Sequence, residues 1–200
     1  MKHLVNIQNS NSTVLLAKLN DNNSSFNLSP IDQIKFQNFK STTRKTEFLK
    51  VRELLFYCFK EYIQVDYNND VPFFFYDNQR FELSITHALP YIGIQYSKTD
   101  QAGLDVEFIN RPFQRITHKF LSNQEMNILN NQLYLGWSAK EAAYKYCNQS
   151  HYSFINDLEI LATDDKSIEV FCKNENIVLN LAYQLIEDIC LVYAVDKKDL

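Results

Sequence analysis

The sequence predicts an α+β fold divided into two halves. Three observations carry this prediction. Each half reads as several short strand-like runs with one or two helical stretches. Strands and helices do not alternate regularly, which disfavours a doubly wound parallel sheet. The polar break Lys98-Thr99-Asp100-Gln101 falls at mid-chain and separates an N-terminal lobe, residues 1–99, from a C-terminal lobe, residues 100–200. An apolar fraction of 46%, with 15 Phe and 12 Tyr, is enough to fill a core in each.

The elements follow in order. Residues 1–7 are apolar over too short a stretch for a secretory signal. Residues 13–19 are β-branched and apolar and predict a strand, and the Asn/Asp/Ser run at 20–25 predicts a loop. Between 43 and 62 the residues Phe48, Leu49, Arg52, Leu55, Phe56 and Phe59 recur at helical steps. Residues 63–67, 73–76, 81–87 and 91–96 read as strands, with a turn at 77–79. The C-terminal half opens on a strand at 103–107. Ser122-Asn-Gln-Glu125 has the form of a capping box, and residues 133–147 predict a longer helix. Strands are expected at 158–162, 168–172, 177–183 and 189–195.

Composition excludes several classes of function. A net charge of −4 argues against a general nucleic-acid binder. No run approaches the roughly 18 apolar residues of a membrane span. The four cysteines, Cys58, Cys147, Cys172 and Cys190, form no CxxC pair, so they read as reduced thiols in a cytoplasmic protein rather than a zinc site. With only Gly93, Gly103 and Gly136, the chain has no glycine-rich phosphate loop. A phosphate-rich ligand would have to be held by side chains and a metal.

Two segments carry chemistry. In Gly103-Leu-Asp105-Val-Glu107 the two carboxylates are two residues apart, hence on one face of a strand. In Trp137-Ser-Ala-Lys-Glu141-Ala-Ala-Tyr-Lys145 the acid and the base at 141 and 145 share one face of a helix. Three carboxylates and an ammonium can hold a hard divalent cation beside a phosphate. The same spacings also occur in ordinary surface ion pairs, and Ser138-x-x-Glu141 also fits a capping box.

The residues around these groups resemble the two motifs of the 4′-phosphopantetheinyl transferase superfamily. One is a Gly-hydrophobic-Asp-hydrophobic-Glu strand. The other is an aromatic-Ser/Thr-x-Lys-Glu-Ala-x-x-Lys helix several dozen residues later. Phe120-Leu-Ser122-x-x-Glu125 is similar to the family's segment between them. Upstream, Ser84-Ile-Thr86-His87 looks like its Ile-Ser-His strand end, and residues 44–52 resemble the Arg-rich helix of longer members. The length is that of the two-lobed Sfp-type.

The resemblance implies two similar α+β lobes related by a pseudo-twofold axis, with the ligand cleft between them. It also implies transfer of 4′-phosphopantetheine from coenzyme A to a serine of an apo carrier protein of a fatty-acid, polyketide or peptide-synthetase system, with release of 3′,5′-ADP. Asp105, Glu107 and Glu141 match the family's Mg²⁺ ligands, and Glu141 or a metal-bound water is the implied base. Lys145 and His87 match groups that contact the CoA phosphates, and Arg44, Lys45, Arg52 and Thr86 are further CoA-binding candidates. Trp137 and Tyr144 are expected in the core. The variable stretch 110–135 is the implied carrier-docking surface, and the protein is expected to be a monomer acting without nucleic acid or membrane. Longer members carry a Gly-Lys-Pro turn where this chain has Asp70-Val71-Pro72. The missing lysine leaves a non-catalytic CoA- or carrier-binding module as the alternative function.

Overall fold

The computed structural model describes residues 3–9, 11–19, 27–148 and 152–199, and the expected loop at 20–25 lies outside them. The chain forms two compact units, residues 1–100 and 101–200. It is α+β, with two wholly antiparallel sheets and few helices.

The first unit contains β1 (His3–Gln8), β2 (Ser12–Lys18), α1 (Pro30–Asn38), α2 (Thr42–Phe59), β3 (Val65–Asn68), β4 (Val71–Tyr76), β5 (Gln79–Ala88) and β6 (Tyr91–Ser97). Its sheet runs β1-β2-β6-β5-β4-β3. α2 starts where the Ser41 side chain accepts from the Arg44 N–H at 3.4 Å. It ends earlier than the periodicity suggests, because Lys60 turns left-handed and returns its N–H to the Phe56 carbonyl. Val51, Leu54 and Leu55 on α2 pack against Leu15, Phe74, Ile92 and Ile94 of the sheet. Asp77 and Asn78 both take positive φ (49° and 57°), making a two-residue hairpin loop whose twist matches the strands it joins.

Two elements here lie beyond the sequence reading. One is β1, which pairs with β2. The other is α1, which is only weakly amphipathic and buries Asp32 alone. Beside the Phe36 ring, which meets Phe48 of α2, α1 is held by polar contacts. Asp32 accepts from Arg52 Nε at 2.8 Å, from Gln64 Nε2 at 3.2 Å and from the Tyr62 hydroxyl. Burial works to raise the Asp32 carboxyl, but these donors, led by Arg52, bring it below its ordinary value.

The second unit contains β7 (Leu104–Phe108), two short 3₁₀ turns at 113–115 and 117–119, α3 (Asn123–Ile128), α4 (Leu133–Cys147), β8 (Leu158–Thr163), β9 (Ser167–Cys172), β10 (Ile177–Ile186) and β11 (Ile189–Asp199). The sheet order is β7-β11-β10-β9-β8. Both halves of the expected capping box form at α3: the Glu125 N–H reaches Ser122 Oγ at 3.2 Å, and the Ser122 N–H reaches Glu125 Oε2 at 2.8 Å. α4 packs on β7 and β11, burying Leu135, Ala139, Ala142, Ala143 and Tyr146. Among the described residues no helix is long and apolar enough to cross a membrane.

Candidate active site

The site in the second unit is built where α4 lies along β7. Gly103, just before the strand, sets how close they come. A Cβ there would sit 2.3 Å from the Ala142 carbonyl oxygen and 2.8 Å from Tyr146 Cβ. The helix backbone therefore touches the strand backbone, which only glycine allows. Gly103→Ala should push α4 off β7 and cost about 1–3 kcal/mol. A urea midpoint equal to that of the wild type would contradict this close approach.

α4 runs antiparallel to β7, as two side-chain bonds show. Trp137, early in the helix, donates its Nε1–H to Glu107 Oε1 at 3.1 Å, late in the strand. Lys145, two turns on, donates to Asp105 Oδ1 and to the Leu104 carbonyl, both at 2.9 Å. Glu141 lies midway between Trp137 and Lys145 on the same helical face, so it falls opposite the strand between the two acids. Glu107 is also paired with Arg111, whose guanidinium lies 5.5 Å from the Trp137 ring and 5.2 Å from that of Phe113.

Electrostatics confirm that the three acids feel one another. Burial raises the Glu141 carboxyl, and the charge on Asp105 raises it further, with a smaller push from Glu107; together they bring it to about 7 despite the opposing Lys145 ammonium. Burial and the Asp105 charge also raise Glu107, against the pull of Arg111 and Trp137. Hard oxygen donors that repel one another in a half-buried site suit a divalent cation. In chemistry, then, the set fits Mg²⁺. In ligating geometry it is not assembled: among the described residues no group of three or more His, Cys, Asp or Glu is disposed to hold a metal ion. The reason is visible in the pairs above. Lys145 engages Asp105, and Arg111 with Trp137 engages Glu107, so the chain's own donors hold the carboxylates.

Residues 101–194 match the family model of the 4′-phosphopantetheinyl transferase superfamily. The likeness lies within the second unit. It spans every residue of the carboxylate site. A search of curated proteins finds none that matches.

The other residues expected from the superfamily pattern sit in the first unit. Thr86 is buried near the end of β5 and His87 beside it is exposed. Arg44 and Lys45 lie in the first turn of α2, with Lys45 Nζ 5.3 Å from the centre of the Phe36 ring. Glu47 joins Arg44 to His87. Arg52 belongs elsewhere. It is 1% exposed, bonded to Asp32 and stacked at 3.7 Å on Phe48, so its guanidinium serves the contact between α1 and α2. Arg52, expected among the CoA-binding residues, thus has its guanidinium engaged within the first unit. Val71 opens β4, paired with Asn68.

Sequence reasoning missed Trp137, Lys140 and Arg111. Trp137 packs against the core as expected, and beyond that it precedes Glu141 by one helical turn and holds Glu107. The i, i+4, i+8 spacing of Trp137, Glu141 and Lys145 carries that signal. Lys140 is fully buried, donating to the carbonyls of Phe154 at 2.9 Å and Leu158 at 2.7 Å and pairing with Glu125.

Proposed function

We propose that this protein is a longer, two-lobed, Sfp-type phosphopantetheinyl transferase that moves the 4′-phosphopantetheine arm of coenzyme A onto a serine of an apo carrier protein. The observation that carries the proposal is Glu141. It is raised to about 7 between Asp105 and Glu107, within the segment that matches the superfamily. A carboxylate so raised is a far better base at neutral pH than an ordinary one.

The serine hydroxyl attacks the β-phosphate of CoA and passes its proton to Glu141. The new Ser–O–P bond forms as the bond to the leaving 3′,5′-ADP breaks. Lys145 donates to a phosphate oxygen and so balances charge where it develops. Members of the superfamily generally act with Mg²⁺. Asp105, Glu107 and Glu141 would hold the ion, which would neutralise charge on the pyrophosphate. Arg44, Lys45, Thr86 and His87 are assigned to binding CoA.

The carrier is assigned to the stretch between the two motifs. An open groove of about 770 Å³ lies there, lined by Thr117, His118, Leu121, Met126 and Leu133 among others. We place the reaction in the cytoplasm and on a monomer.

The test is incubation with CoA, MgCl₂ and a panel of apo carriers from fatty-acid, polyketide and peptide-synthetase systems. A carrier should gain one phosphopantetheine by mass spectrometry, with stoichiometric 3′,5′-ADP. An unmodified panel that nonetheless leaves CoA bound would favour the non-catalytic module. Nucleotide release without any carrier would point to a phosphodiesterase.

A further inference from the structure

Glu47 is a buried carboxylate that no expected role uses. It lies on the inward face of α2 and its residue is 8% exposed. Its two oxygens face basic side chains from two different elements. Arg44 Nη1, one turn earlier on α2, is 3.2 Å from Oε2, and His87 Nε2, at the end of β5, is 3.6 Å from Oε1. The burial is lopsided. The Glu47 side chain is 10% exposed, against 63% for Arg44 and 46% for His87.

A surface pair leaves both partners solvated and contributes little. Here the acid is withdrawn into the protein, where its desolvation must be offset by its partners. Both basic side chains stay largely in solvent, and the Arg44 guanidinium has donors beyond the one directed at Glu47. One inward carboxylate thus fixes two outward donors from a helix and a strand. The product is a preset guanidinium and imidazole, a pair suited to a phosphate ester.

We propose that Glu47 is a positioning residue that sets the Arg44 guanidinium and the His87 ring side by side as a phosphate-binding pair for CoA. This rests on the reading of the chain as a CoA-dependent transferase.

The test compares full-length wild type with Glu47→Gln, which keeps shape and removes charge. The KM for CoA should rise about tenfold, the scale of one charge-assisted contact, while kcat and the KM for the carrier stay within about twofold. In an Arg44→Gln/His87→Gln background the same change should add less than about twofold, because the groups it positions are gone. Glu47→Asp keeps the charge one methylene further back and should give an intermediate KM. It also answers the question if Glu47→Gln fails to fold. An unchanged KM for CoA in either variant overturns the proposal. So does a loss confined to kcat or to melting temperature, which would mark Glu47 as a helix-to-strand clamp only. A full effect in the double-variant background overturns it too. Absence of transfer by the wild type on every carrier would instead reject the functional reading itself.

Discussion

Glu141→Gln is expected to lose carrier modification by about 10²–10⁴-fold and at the same time to stabilise the protein above neutral pH. Both effects come from one cause. Burial, Asp105 and Glu107 hold the Glu141 carboxyl at about 7 in the fold, against an ordinary value of 4.5. Between those values the folded chain binds a proton that the unfolded chain has released. Stability is therefore present below pH 4.5, falls as pH rises through this window and is fully lost above about 7. Raising the carboxyl from 4.5 to about 7 corresponds to a loss of about 3 kcal/mol. Gln does not ionise and escapes that loss. Thermal melts at pH 5.5 and 8 should show the wild type falling more steeply, with the variant above it at pH 8. A variant that transfers at the wild-type rate, or melts below wild type at pH 8, would sink the assignment. Such a trade of stability for chemistry is what a strained site predicts.

Lys140→Met is expected to cost about 3–5 kcal/mol in urea unfolding, the largest structural effect foreseen for this chain. Lys140 and Glu125 are 0% and 3% exposed. Burial pushes the Lys140 ammonium down. Burial would also raise Glu125, but Lys140 and the N–H groups of Ser122 and Ile160 bring it below its ordinary value. Methionine fills the volume yet strands the Glu125 charge and removes the donor to two carbonyls. Adding Glu125→Gln should recover part of the loss, since the stranded charge is then gone. The Ser122 cap and the 2.9 Å bond from the Ile160 N–H would weaken, so recovery stays incomplete. A loss under about 1 kcal/mol would show that the pair contributes no more than a surface one. Lys140 and Glu141 are adjacent, so they face different ways. One roots α4 in the core and the other points its chemistry at β7.

Local signals explain what the sequence disclosed. α4 was legible over its whole length because its apolar face is periodic. α3 was legible from its capping box, and the 77–78 turn from its Asp-Asn pair. Helix α1 had start signals, Ser29 and Pro30, but only a weak apolar stripe. Its anchor, Arg52, lies 20 residues away and acts through charge. The same distance hid the fate of Arg52, which a helical motif offers equally to a ligand or to a buried acid. At the candidate site the residue types were readable and their engagement was not. Lys145 and Asp105 are 40 residues apart, and nothing in either segment shows that the ammonium rests on the acid. Glu47 was hidden for a related reason: its pairing with His87 joins a helix to a strand 40 positions later.

Trp137 gives the molecule a property of another kind. It is the single tryptophan of the chain, and its indole N–H is bonded to Glu107, between the Arg111 guanidinium and the face of α4 that carries Glu141. The protein's tryptophan fluorescence, excited apart from its 12 tyrosines, therefore originates beside the carboxylates. Any ion or nucleotide that draws Glu107 away from the indole is reported by emission from the unlabelled chain, whether or not a carrier is present.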